Sequence, residues 1–173
     1  MQKNIVVVAL AAALAVPALV LAQAKADLSG TWTFDEAKSD PAPGPPGGGG
    51  GGRGGGGGGR MMGGGTPSKL VIKQTGAELT VESTLPNGAQ TAVYKLDGSE
   101  SVNKMGMGEA KSKATWDGAN LVITGKQAIS TPQGEMAIDT KEVYSVSGST
   151  LTVTTSRTTP RGENTRQVVF NKG

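Results

Sequence analysis

From Ser68 onward the chain alternates. Short runs rich in Val, Ile, Thr and Leu are separated by glycine-bearing turns, and within each run apolar and polar residues take turns. A period of two sends alternate side chains to opposite faces of a strand, so each run reads as a strand with one apolar face. The pattern predicts strands at 70–75, 78–84, 90–96, 111–116, 120–127, 136–146, 150–158 and 165–171, with a further one at 28–34. Between them lie TGA, PNGA, DGS, DGA, PQG, SGS and RGEN. Asn-Gly and Asp-Gly supply the positive φ angles that tight hairpins need. No stretch after Ser68 carries a helical period long enough for a parallel crossover, so neighbouring strands are antiparallel. Three turns share G-x-x-L-x-[VI], at Gly76, Gly118 and Gly148. Repeated hairpins produce such a pattern without gene duplication.

Strands with one apolar face must stack as a sandwich or close into a barrel. Consecutive strands and short connections favour an all-β, antiparallel up-and-down meander of about eight or nine strands closing as a barrel. Closure would set Arg166–Phe170 beside Leu28–Phe34 and remove exposed edges. The apolar faces assign Leu79, Val81, Tyr94, Trp116, Leu121, Ile123, Tyr144, Leu151 and Val153 to the interior. Glu142 disturbs this, because strict alternation from Met136 places it with Ile138 and Tyr144. The expectation is a β-bulge that resets the strand. The alternative is an inward carboxylate beside Tyr144, which would serve as a polar contact in a pocket.

The first 24 residues change the picture of compartment. Lys3 gives a short basic region, Ile5–Ala22 carries no charge, and Ala22-Gln23-Ala24 has the small-x-small pattern of a cleavage site. This reads as a secretory signal peptide, 1–24, followed by a single domain, 25–173. A secreted or periplasmic location is expected, with no membrane attachment after cleavage. The chain has no cysteine and no histidine. That removes disulfides, thiol chemistry and the commonest general base and metal ligand. The net charge of +3 is spread along the chain and predicts no pull toward nucleic acid.

Residues 41–67 are dominated by glycine and proline. A phosphate-binding loop would need a following helix and Gly-Lys-Ser/Thr; here Thr66-Pro67-Ser68 leads into a strand. Arg53 and Arg60 lie in glycine with no aromatic for base stacking, a poor RNA ligand. Met61, Met62, Met105 and Met107 are too few and too irregular for a copper site, and no metal or other cofactor is expected. The segment reads as a disordered loop insertion, since polyglycine has little to bury and much backbone entropy to lose. Asp35, Glu36 and Asp40 could do acid–base work, but a charged turn after a strand explains them. Lys111, Lys113 and Lys141 read as solvated strand faces. Catalysis is not expected.

Asp27-Leu-Ser-Gly30-Thr-Trp32-Thr-Phe34, just after the signal peptide, resembles the first strand of lipocalin-like proteins, the calycin group. The resemblance implies that Gly30 and Trp32 open the barrel, with Trp32 packed against an arginine of the last strand. Arg166 matches by position, with Arg157 as a rival. The longer pattern, SGTW and AKS, then a Pro/Gly-rich insertion, then YKLDG, SKATWDG, LTVT and VF, resembles a group of small secreted bacterial lipocalin-like proteins of unknown function.

The leading functional reading is a monomeric binding protein that holds a small apolar ligand against Tyr94, Trp116, Tyr144, Leu79 and Leu121. The alternative is a structural or protein-interaction module with a packed barrel. A barrel of this size accommodates either.

Overall fold

The computed structural model describes residues 24–41, 65–105, 108–131, 134–159 and 162–173. The candidate signal peptide, apart from Ala24, lies outside them, as do residues 42–64 of the glycine-rich insertion.

Ten strands appear: β1 (Gly30–Asp35), β2 (Lys69–Gln74), β3 (Glu78–Leu85), β4 (Gly88–Lys95), β5 (Glu100–Met105), β6 (Gly108–Asp117), β7 (Asn120–Thr131), β8 (Gly134–Ser147), β9 (Thr150–Thr159) and β10 (Gly162–Lys172). A 3₁₀ turn, Glu36–Lys38, follows β1. All neighbours are antiparallel, in the order β4-β3-β2-β1-β10-β9-β8-β7-β6-β5. The first and last strands pair as expected, with Trp32 opposite Lys172 and Phe34 opposite Phe170. The result is a nearly closed meander barrel whose one discontinuity falls between the consecutive strands β4 and β5.

The strand that alternation missed is β5. Its single large apolar residue in the middle, Val102, is 52% exposed, whereas Ser101 and Asn103 are buried. The usual inside-out pattern is inverted, because the two polar side chains bond across to β4 and not to a polar solvent. Val93 N–H donates to Asn103 Oδ1 at 2.8 Å, Asn103 Nδ2 donates to Val93 O at 3.0 Å, and Lys95 N–H donates to Ser101 Oγ at 2.9 Å.

No bulge resets β8. Its register with β7 runs without a slip from Leu121↔Tyr144 to Thr131↔Gly134, and with β9 from Asp139↔Thr158 to Ser147↔Thr150. Glu142 therefore faces inward, and the bulge expectation is overturned.

The core holds Leu28, Trp32, Leu79, Leu121, Leu151 and Phe170, all essentially without exposure. Trp32 donates from Nε1 to Leu28 O at 2.9 Å, so the indole is buried with its one donor satisfied. The cation over its ring is Lys172, with Nζ 5.3 Å from the centroid. The expected Trp32–Arg166 contact does not form. Arg166 lies six residues from Lys172 along β10, roughly 20 Å at a strand's rise. Gly30 has φ +140°, and a Cβ there would meet Lys172 Cε at 3.0 Å. The glycine lets the chain turn into β1 and leaves room for the lysine stem to reach the indole.

After β1 the acidic residues build a turn. Asp35 Oδ1 accepts from Ala37 N–H at 3.1 Å, and Asp35 Oδ2 accepts from Asn171 Nδ2 at 2.8 Å and lies 3.0 Å from Lys38 Nζ. Ser39 Oγ accepts from Val169 N–H at 2.8 Å. Asp40 N–H donates to Gln167 O at 2.9 Å and Asp40 Oδ2 accepts from Gln167 N–H at 2.7 Å. The chain thus rejoins β10 after the turn and arrives beside Arg166.

Candidate functional site

One end of the barrel holds a half-open cavity of about 170 Å³. Leu70, Val81, Leu85, Ala92, Val153, Val168 and Phe170 make its apolar wall. They come from β2, β3, β4, β9 and β10, each at an inward position of the two-residue period. Tyr94, Glu142, Tyr144, Arg157 and Arg166 add polar groups, and Gly65, Thr66 and Pro67 lie at the rim.

Glu142 sits between β7 and β9, opposite Ile123 and Thr155. Tyr144 donates from its hydroxyl to Glu142 Oε2 at 3.1 Å. Glu142 is half-buried and lines the cavity. Burial pushes its carboxyl pKa up, against the opposing pull of the Tyr144 hydrogen bond and the Arg157 charge. The same burial, with the Glu142 charge adding to it, raises both tyrosine pKa values, so Tyr94 and Tyr144 remain protonated donors.

Arg157 follows Leu151, Val153 and Thr155 in the inward period of β9. Its Nε is buried and has no hydrogen-bond partner among the described residues. Arg166 is 5% exposed. It donates from Nε and Nη2 to Asp40 O at 3.3 and 3.2 Å, and from Nη1 to Thr66 Oγ1 at 2.8 Å. One guanidinium therefore ties together the two ends of the 42–64 excursion at the rim. Its pKa is lowered by burial, with Asp40 opposing; a guanidinium nonetheless stays charged.

Of the residues expected to meet a ligand, Tyr94 and Tyr144 line the cavity, while Leu79, Trp116 and Leu121 do not. Leu79 and Leu121 are fully buried in the core, and Trp116 packs against that core with Lys25 Nζ 5.9 Å from its ring centroid. Of the polar trio, Glu142 stood out in the sequence as a departure from alternation, whereas Arg166 and Arg157 were noted only as candidate partners of Trp32. Each holds an inward position of its strand's two-residue period.

A second concavity, about 710 Å³, lies on the outer face of β5 to β10. Two of its four lysines pair with acids: Lys111 lies 3.4 Å from Glu100, and Lys126 lies 3.4 Å from Asp139. Lys113 and Lys141 project from the same solvated face.

No protein-family model matches the chain, and neither does any curated protein. Solved structures do. A secretory abundant heat soluble protein from Ramazzottius varieornatus shares 22% identity at a TM-score of 0.46, covering 61% of this chain and 70% of that one. Zebrafish ileal bile acid-binding protein, in complex with cholic acid, shares 21% identity at a TM-score of 0.47, covering 61% of this chain and 72% of that one.

Proposed function

We propose that this protein is a non-enzymatic binding barrel, acting outside the cytoplasm, that holds one small, mainly apolar ligand with an acidic end. The observation that carries this reading is the buried Arg157 Nε on the cavity wall, which has no hydrogen-bond partner among the described residues. An unmade hydrogen bond at a buried charged donor is costly, and a ligand that supplies the acceptor recovers it. The polar wall also holds two guanidiniums, of Arg157 and Arg166, to one carboxylate, of Glu142. That excess of positive charge favours an anionic group over a cationic one. The apolar remainder of the wall suits a ring or short chain. A cavity of about 170 Å³ limits the ligand to about one ring, since drug-sized ligands occupy roughly 300–1,000 Å³. Secretion rests on the Lys3, Ile5–Ala22 and Ala22-Gln23-Ala24 pattern.

The small volume also favours a second reading, a packed barrel that acts through its outer face. Calorimetric titration separates the two. Benzoate and hexanoate are expected to bind with unit stoichiometry, at least about tenfold more tightly than benzyl alcohol and hexanol. Arg157→Gln is expected to abolish that preference. Failure of all four compounds to bind the wild-type protein would leave the packed barrel.

A further inference from the structure

The wall of the barrel is not uniform. Everywhere else adjacent strands are joined by backbone ladders, but β4 and β5 are the two ends of the sheet order. Among the described residues they are joined by side chains alone. Asn103 offers a carbonyl and an amide N–H in place of a strand residue's own, and both are used by Val93. Ser101 takes the Lys95 N–H. Gln90 Nε2 donates to Lys104 O at 3.3 Å. Gln90 also lines the cavity, so the seam and the cavity share a wall.

A second observation falls at the same place. Among the described residues, the large apolar side chains left exposed are Val93, at 38%, and Val102, at 52%. One stands on β4 and the other on β5, on the two lips of the seam. Isolated exposed valines are ordinary, but a pair flanking the weakest joint of the wall gives an apolar ligand a surface to cross. At the rim, where Gly65, Thr66 and Pro67 line the cavity, Arg166 bonds both Asp40 and Thr66.

We infer that the β4–β5 seam is the ligand's passage, with Asn103 as the clasp that opens and recloses. The inference rests on the reading of the cavity as a ligand site. Parting the strands breaks the few bonds made by Asn103, Ser101 and Gln90 and leaves every ladder intact. The closed state is the same with or without a tight clasp, so loosening the clasp changes exchange rates and not affinity.

Two measurements on the full chain decide it. The first is ¹⁹F line-shape analysis of 4-fluorobenzoate exchanging with the wild type and with Asn103→Ala. The expected result is association and dissociation rates both raised about tenfold or more, with the dissociation constant within about twofold. Unchanged rates would overturn the inference, as would acceleration in Thr66→Ala without acceleration in Asn103→Ala, which would put the passage at the rim. The second is amide hydrogen exchange on the wild type, which needs no folded variant and no ligand. The Val93 and Lys95 amides are expected to exchange at least about a hundredfold faster than amides of the β7–β8 ladder. Equal protection would show that the seam opens only on global unfolding and would overturn the inference whatever the probe does. If 4-fluorobenzoate fails to bind the wild type, the binding reading falls and takes the passage with it, even where the exchange data show a seam that opens.

Discussion

Glu142 shows how much one inward carboxylate sets. Its folded pKa lies above the ordinary value of 4.5, chiefly through burial, so the folded state favours the protonated acid. Stability from this group is complete below the ordinary value and is lost as pH rises through the shifted one. Among the described residues no ion pair offsets the desolvation; the Arg157 charge only opposes it. Glu142→Gln should therefore melt at a higher temperature than the wild type at pH 8, with the gap closing toward pH 4; a gap independent of pH would contradict the assignment. The residue was conspicuous in the sequence, but alternation alone could not separate a bulge from an inward acid. The bulge was the cheaper assumption because it buried no charge. What the sequence could not show is the setting that makes the inward acid tolerable: the Tyr144 hydroxyl at 3.1 Å and the charge of Arg157 on β9. Gly30 is the converse case, a position whose role was legible but whose partner was not. Alanine there must fit a Cβ 3.0 Å from Lys172 Cε at a positive φ. Gly30→Ala is expected to cost about 1–3 kcal/mol in urea unfolding, with Trp32 fluorescence shifted as the lysine is displaced.

Among the elements, hairpins were legible because turn glycines and two-residue alternation are local signals. Most strand ends fall within a few residues of the expected ones. β5 was not, because its inward residues are Ser101 and Asn103, which look like a solvent face. They are inward because their bonding partners are the backbone of β4, a tertiary fact with no local signature. This element also sets the mechanics of the wall. A hydrogen bond contributes about 1 kcal/mol net, and leaving a buried partner unmet costs about 1–3 kcal/mol. Asn103→Ala removes both bonds to Val93 and should lower the unfolding free energy by about 2–4 kcal/mol, whereas Val102→Thr on the exposed lip should stay within about 0.5 kcal/mol. Equal costs for the two variants in chemical denaturation would show that the seam bears no load.

For the molecule as a whole, first-to-last closure follows from antiparallel order and the need to hide edges, and the sequence carried both. The insertion read as a disordered loop lies mostly outside the described residues; the residues flanking it, Asp40 and Thr66, are both bonded by Arg166. That arginine was singled out for the wrong partner, since a resemblance in strand order does not fix how far along β10 a side chain sits. Arg166→Ala frees Asp40 from Thr66 and leaves their acceptors unmet; a loss of about 2–3 kcal/mol in unfolding free energy is expected, with the Trp32 environment unchanged because Lys172 still covers that ring. The central claim is that the cavity binds a small acid through Arg157. The most direct test is a ¹H–¹⁵N NMR titration of the full chain with 4-fluorobenzoate. The account expects saturable shifts centred on Tyr94, Glu142, Tyr144 and the Arg157 Nε–H, with the outer face of β6 to β8 unmoved. Saturable shifts confined to that outer face, or none at all, would contradict it.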